Sequence, residues 1–179
     1  GGRRPERSFL ANSACGVCGA TTVASLALDF SRLPDGARID PGLLPALPDR
    51  LRAGQRVFAQ TGGLHAAGLF SLDGELKLLR EDVGRHNAVD KIVGRLLIEG
   101  SLPAAESILV VSGRAGYELV QKAIAAGLGC LVAVGAPSSL AVHTAREFNL
   151  SLAGFTKSDR FNVYSGFERF SSPERTSSR

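Results

Sequence analysis

The sequence predicts an α/β fold built on one sheet, mostly parallel or mixed, flanked by helices. Three observations carry that expectation. Between residues 107 and 155 short apolar runs alternate with longer amphipathic ones, the pattern of strands joined by right-handed helical crossovers. A glycine-bearing turn and then a helix start follow the first two of these runs, at Ser112-Gly113-Arg114-Ala115-Gly116 and at Gly135-Ala136-Pro137-Ser138. With 44% hydrophobic and 21% charged residues among 179, the chain can bury a real core and is not a disordered polymer.

Taken in order, residues 1–19 read as an exposed arm with Arg3, Arg4 and Arg7, ending in a Cys-x-x-Cys loop. Residues 20–170 read as one α/β domain, and 171–179 as a polar, disordered tail. The apolar stretch 21–30 fits helix or strand equally. Pro34-Asp35-Gly36 reads as a turn. Asp40 and Pro41 start a helix whose spacing continues through Leu51, Val57 and Phe58 until Gly62-Gly63 stops it. His65–Phe70 and Glu75–Leu79 form an expected hairpin across Asp73-Gly74. The polar cluster Glu81–Asn87 then runs into a helix with Val89, Ile92, Val93, Leu96 and Leu97 on one face, ended by Gly100. Beyond it come strand Ser107–Ser112, helix Ala115–Ala126, strand Leu131–Val134, a helix capped by Ser138 and reaching Phe148, and strand Ser151–Phe155. Arg160–Ser165 is a further strand candidate.

Composition narrows the function classes. No apolar run approaches the ~20 residues of a membrane span. The net charge of +4 suits an anionic ligand, but the arginines are scattered and aromatics make up only 6%, so no nucleic-acid stripe is expected. Three cysteines, an odd number, do not make a secreted disulfide framework and point to a reducing cytoplasm. No stretch reads as a signal peptide, and the chain contains no Met, so a truncated natural protein is expected.

The chemistry concentrates in a few stretches. Ser13-Ala14-Cys15-Gly16-Val17-Cys18-Gly19 presents two thiols among small residues that leave both sulfurs open. By itself such a pair is half a zinc site, a redox pair, a persulfide carrier or two unrelated thiols. Zinc needs two more ligands, and the remaining candidates (Cys130, His65, His86 and His143) have no close-pair spacing, so no metal site is expected. Cys130 lies in an apolar run and reads as a buried small hydrophobe, while His143 reads as solvated surface.

In a parallel sheet the turns Ser112-Gly113-Arg114 and Gly135–Ser138 open on one edge, where helix N-termini and Arg114 favour phosphate. Their glycines are equally common in any such fold. Phe155-Thr156-Lys157-Ser158-Asp159-Arg160 holds an aromatic face, two cations, two hydroxyls and a carboxylate. That inventory can stack on a base, hold phosphate and accept from guanine N–H groups, or form an ordinary surface loop. Arg85 and His86 belong either to a site or to a capping and ion-pair network, with Asp82 capping and Asp90 and Lys91 facing solvent. His65, after Thr61-Gly62-Gly63, reads either as facing the same cleft or, as a lone His, as structural.

Together these stretches resemble one family, the FdhD proteins, formate dehydrogenase accessory sulfurtransferases. The resemblance rests on Ser13–Gly19, Phe58–Ala67, Glu81–Lys91, Val111–Glu118, Val134–Ser139 and Gly154–Tyr164, in family order from about residue 8 to 166. It implies a cytidine-deaminase-like three-layer fold and a soluble cytoplasmic homodimer. It implies a carrier that takes persulfide sulfur from a cysteine desulfurase. The carrier passes it to the molybdenum of bis(molybdopterin guanine dinucleotide), bound as cargo, before that cofactor enters formate dehydrogenase. Cys15 matches the family's persulfide cysteine and Cys18 its partner. Phe155–Arg160 matches its cofactor-binding loop, so guanine nucleotides should serve as fragment mimics. With Ser112, Gly113, Arg114, His65, Arg85 and His86 these residues make the candidate cofactor-binding set of residues 20–170. Members usually carry a further N-terminal β-rich portion of about a hundred residues, the scale of a small domain. A zinc deaminase is rejected, because His65-Ala66-Ala67 lacks the His-x-Glu acid and the cysteine pair comes before it. A non-catalytic chaperone that only binds the molybdenum cofactor is the other alternative; it would have no need of exposed thiols.

Overall fold

The computed structural model describes residues 30–36 and 38–170. The arm and cysteine loop of 1–19, nearly all of the 21–30 stretch, and the tail 171–179 lie outside the described residues.

Six strands form one mixed sheet: β1 (His65–Ser71), β2 (Leu76–Asp82), β3 (Ser107–Val111), β4 (Cys130–Ala133), β5 (Ser151–Lys157) and β6 (Arg160–Ser165). Their order is β2-β1-β3-β4-β5-β6. Only β3, β4 and β5 pair in parallel; β1 runs antiparallel to both β2 and β3, and β6 antiparallel to β5. The parallel centre is the part that needs helical crossovers, supplied by α4 (Tyr117–Ala125) and α5 (Ser139–Glu147). The hairpin across Asp73-Gly74 forms as expected, with Gly74 at φ 81.

Helices cover both faces of the sheet. On one side α3 (Arg85–Ile98), α4 and α5 bury Val89, Ile92, Leu96, Leu119, Ile124 and Ala145 against Leu109, Val111, Leu131 and Leu152. On the other, a 3-10 turn (Pro41–Ala46) and α1 (Leu47–Gly54) bury Leu44, Leu47 and Leu51 against Phe70, Ile108, Val110 and Val132. Alternation along β3 sends Ile108 and Val110 to one layer and Leu109 and Val111 to the other, as period 2 requires. Each fully buried aliphatic side chain is worth about 1.5–3 kcal/mol relative to exposure.

Three local expectations are corrected. The helix expected from Asp40 to Gly62 is three pieces: the 3-10 turn, α1, and α2 (Arg56–Thr61), because Pro45 and Pro48 lack N–H donors and Gln55 leaves helical geometry at ψ 83. Asp40 does accept from the Gly42 N–H at 2.9 Å, as a cap should. Leu97 is not on the buried face of α3 but 67% exposed, since Ala88, Val89, Ile92 and Leu96 already fill that stripe. Pro34–Gly36 forms no turn; Pro34 and Asp35 instead accept hydrogen bonds from Arg169 and Asn149. No described helix is long and apolar enough to cross a membrane.

Candidate functional site

Strand direction decides which segments meet. β3, β4 and β5 all end at one edge of the sheet. Antiparallel β1 begins there, with Ala67 opposite Val111, and β2 ends there, with Asp82 opposite His65. His65, the Glu81–His86 block and the two glycine turns are thus brought to one edge from four stretches of sequence.

The turns are tied to one another through backbone. Gly135 N–H donates to the Gly113 carbonyl at 2.9 Å, Ser138 N–H to Ala115 at 3.0 Å, and Phe155 N–H to Gly135 at 3.1 Å. Ser112 Oγ accepts the Ala66 N–H at 2.9 Å, which fastens the β3 exit to β1. Gly113 fits between side chains, since a Cβ there would lie 3.4 Å from His65 Nδ1 and 3.9 Å from Arg85 Cδ.

A cleft opens on each side of this edge. The first, about 500 Å³, lies between α1–α2 and the sheet and is lined by Arg52, Gln55, Phe58, His65 and Ser112 among others. The second, about 430 Å³, is lined by Arg85, Arg114, Tyr117 and Ser138. There α4 and α5 present their N-termini, with N-caps Gly116 and Ser138. Ser138 Oγ accepts from Ala141 N–H at 3.2 Å, which confirms its expected cap. Arg85 Nε is buried and has no hydrogen-bond partner among the described residues. Two guanidinium groups beside two helix N-termini make this second cleft an anion site in chemical character. The candidate set is therefore divided: His65 and Ser112 face one cleft, Arg85 and Arg114 the other, with Gly113 between them.

The Glu81–Lys91 block is in large part a structural network. Glu81 accepts the N–H groups of Phe58 at 2.8 Å and Val57 at 3.0 Å, so it holds the N-terminus of α2. Asp82 pairs with Lys91 Nζ at 2.6 Å and accepts from Gly84 N–H at 2.8 Å and Asn87 Nδ2 at 3.0 Å. Those contacts, Lys91 first, pull its carboxyl down to about 2. Lys91 and Asp90 are exposed as expected, yet both are paired, Asp90 with Lys122 at 2.5 Å. His86 Nε2 lies 3.0 Å from Glu118. Burial lowers its pKa more than Glu118 raises it, which favours the neutral imidazole. His86 lines neither cleft.

The Phe155–Arg160 segment joins β5 to β6 as a tight antiparallel turn, with Lys157 opposite Arg160. Phe155 is held at φ 52, unusual for a bulky residue, and is 45% exposed. Thr156 is buried, and its Oγ1 has no hydrogen-bond partner among the described residues, while the exposed Asp159 and Arg160 lie 4.0 Å apart. The Gly135 bond fixes this turn to the same edge, but its residues line neither cleft. Cys15 and Cys18 fall outside the described residues. Cys130 is buried, and burial pushes its thiol up to about 12, so it is inert at neutral pH. His143 is on the surface, 61% exposed. Among the described residues no group of three or more His, Cys, Asp or Glu could hold a metal ion.

Three site residues escaped sequence reasoning: Glu81 as the holder of α2, and Arg52 and Gln55 as lining of the first cleft. Each acts across a fold contact with no local spacing, so no signal in the chain could have marked them.

The FdhD/NarQ family model matches residues 2–171. The sulfur carrier protein FdhD of Streptomyces avermitilis is 53% identical over 167 residues, covering 92% of this chain and 59% of that protein. Its namesake in Sulfurisphaera tokodaii is 47% identical over 163 residues, covering 91% of this chain and 62% of that protein. A crystal structure described as a formate dehydrogenase accessory protein from Desulfotalea psychrophila superposes with a TM-score of 0.71 at 29% identity, over 79% of this chain and 60% of that one. The chain spans about three-fifths of the length of these curated relatives.

Proposed function

The chain belongs to the FdhD/NarQ family, and from that premise we propose that it is a sulfur carrier serving formate dehydrogenase. In this reading the protein binds molybdenum bis(molybdopterin guanine dinucleotide) as its substrate. It works in the cytoplasm as a homodimer, with a cysteine desulfurase as donor. The observation that supports the binding half is the second cleft. Arg85, whose buried Nε has no partner among the described residues, and Arg114 stand beside the N-termini of α4 and α5. That is a cradle for the diphosphate of a guanine dinucleotide. Gly135 brings the Phe155–Arg160 turn next to it, where Phe155 offers a base an apolar face and Lys157 and Arg160 add charge.

The sulfur half rests on Cys15 and Cys18. The Cys15 thiolate attacks the terminal sulfur of the desulfurase persulfide; a new S–S bond forms, and the desulfurase cysteine leaves as thiolate. For delivery, the Cys18 thiolate attacks Cys15 Sγ, and the terminal sulfur departs as hydrosulfide. It replaces an oxygen ligand of the molybdenum, which leaves as water. The two electrons that reduce the sulfur come from the two cysteines, which close a disulfide that a dithiol reductant reopens.

Complementation tests the proposal. Cells lacking their own carrier should regain formate dehydrogenase activity with the wild-type full-length protein and not with its Cys15→Ala variant, while Cys130→Ala should behave as wild type. Full activity with Cys15→Ala would instead favour a chaperone that binds the cofactor without carrying sulfur.

A further inference from the structure

We propose that His65 is the acid that protonates the departing oxygen when sulfur is delivered to the molybdenum. The inference rests on the sulfur-carrier reading above and adds a proton-transfer role that holding the cargo does not require.

The starting point is the proton balance of that step. An oxygen ligand needs two protons to leave as water. The hydrosulfide that replaces it brings one, so the other has to come from an acid at the site. In the full step the Mo–O bond breaks and an Mo–S bond forms. The hydrosulfide proton and one imidazolium N–H proton pass to the oxygen, and neutral imidazole remains. One dianionic ligand replaces another, so the molybdenum neither gains nor loses electrons. Solvent then returns a proton to His65, which is half-buried rather than sealed.

Few groups at this edge can act as that acid. Among the described residues, the ionisable side chains lining the clefts are Asp49, Arg52 and His65 in the first, and Arg85, Arg114 and Tyr117 in the second. A carboxylate has ordinarily lost its proton at neutral pH, and a guanidinium does not release one. Burial raises the Tyr117 pKa, so its phenol holds the proton more tightly still. Imidazole is the side chain that exchanges a proton readily near neutrality.

Position supports the same choice. His65 opens β1 at the edge where the parallel strands end, with its ring against Gly113. A Cβ on Gly113 would lie 3.4 Å from His65 Nδ1, 3.5 Å from its Cε1 and 3.9 Å from Arg85 Cδ. His65 and Arg85 therefore flank one glycine, and a cargo held on Arg85 that reaches over Gly113 arrives at the imidazole. The charged groups around the ring are Asp82, opposite it on β2, Arg85 on α3, Asp49 and Arg52 on α1, and Arg114 beyond Gly113. Asp82 is engaged by Lys91, Gly84 and Asn87, and Asp49 is exposed. Among the described residues His65 makes no hydrogen bond or ion pair through its ring. A histidine kept for structure ordinarily spends a ring nitrogen on such a bond; this one keeps both for a ligand.

The test follows loading and delivery separately. Full-length protein is loaded with sulfur by a cysteine desulfurase and cysteine, then mixed with molybdenum bis(molybdopterin guanine dinucleotide) carrying oxygen in place of sulfur. Persulfide on the protein is read by intact mass. Sulfur on the cofactor, once separated, is read as the thiocyanate that cyanide releases. His65→Gln keeps size and polarity but has no proton to give. Its loss should fall on delivery and not on loading: the cofactor gains sulfur about a hundredfold more slowly, the scale of a lost general acid, and the missing sulfur appears in solution as sulfide. The ratio of wild-type to His65→Gln delivery rates should fall tenfold or more from about pH 6 to about pH 9, as imidazolium is lost; taking the ratio cancels the titration of the thiols. Added imidazole should restore delivery to His65→Ala and saturate. Delivery by His65→Gln at the wild-type rate overturns the inference. So does a slow variant whose rate ratio ignores pH and whose alanine counterpart imidazole does not rescue, because that marks a structural histidine. A wild type that never carries sulfur contradicts the carrier reading and this inference with it. A wild type that delivers sulfur no faster than His65→Gln contradicts this inference alone.

Discussion

Asp82 is a carboxylate whose work is architectural. Lys91, the Gly84 N–H and Asn87 all stabilise its charged form and hold its pKa at about 2, below the ordinary carboxylate value of 3.8. A folded-state pKa below the unfolded one stabilises the protein above the unfolded value. That contribution fades as pH falls through the folded value. The window here runs from about pH 4 down to about pH 2. Urea denaturation followed across that range should show wild-type stability falling with acid, and Asp82→Asn should show a smaller fall. Equal slopes in the two proteins would mean that the three contacts do not hold the charge. The local partner at Gly84 was legible, because an Asp two residues before a loop N–H is a sequence pattern. Lys91 was read as solvent-facing, since nothing nearby in the chain shows that the end of β2 returns beside α3.

At the scale of the element, α2 is the revealing case. None of its six residues is buried, so packing does not hold it. Its anchors are the Glu81 carboxylate on two backbone N–H groups and the Arg52–Phe58 stack. Hydrogen exchange should therefore accelerate at the Val57 and Phe58 amides in Glu81→Gln, by several-fold or more, while amides of β3 and β4 keep their protection. Unchanged exchange at α2 would show that Glu81 does not hold it. The glycine turns make a second prediction. A Cβ at Gly135 would lie 2.9 Å from Arg114 Cγ and 3.1 Å from its Cα, too close for the two turns to stay in contact. Gly135→Ala should cost about 1–3 kcal/mol in chemical denaturation, by overpacking, and should weaken GDP binding at the Arg114 cleft; a variant as stable as wild type would show that the turns part freely. The sequence marked these turns correctly because βα junctions are local events. It could not show that the two turns pack on each other, since more than twenty residues separate them.

At the scale of the molecule, the parallel centre β3-β4-β5 followed directly from the alternation of strand and helix. The placing of the β1–β2 hairpin against β3 did not, because hairpin and strand are separated by α3 and nothing local specifies their pairing. That one pairing carries His65 to Ser112 and Glu81 to α2, and so creates the first cleft. The resulting edge has two compartments of different chemistry: one cationic and capped by helix N-termini, the other walled by the Arg52–Phe58 stack. The most direct measurement of the sulfur-carrier reading is the intact mass of the full-length protein after incubation with a cysteine desulfurase and cysteine. Wild type should gain one sulfur, removable by a reductant, and Cys15→Ala should gain none. A wild-type protein that stays at its starting mass, or a Cys15→Ala variant that gains the same sulfur, would contradict it.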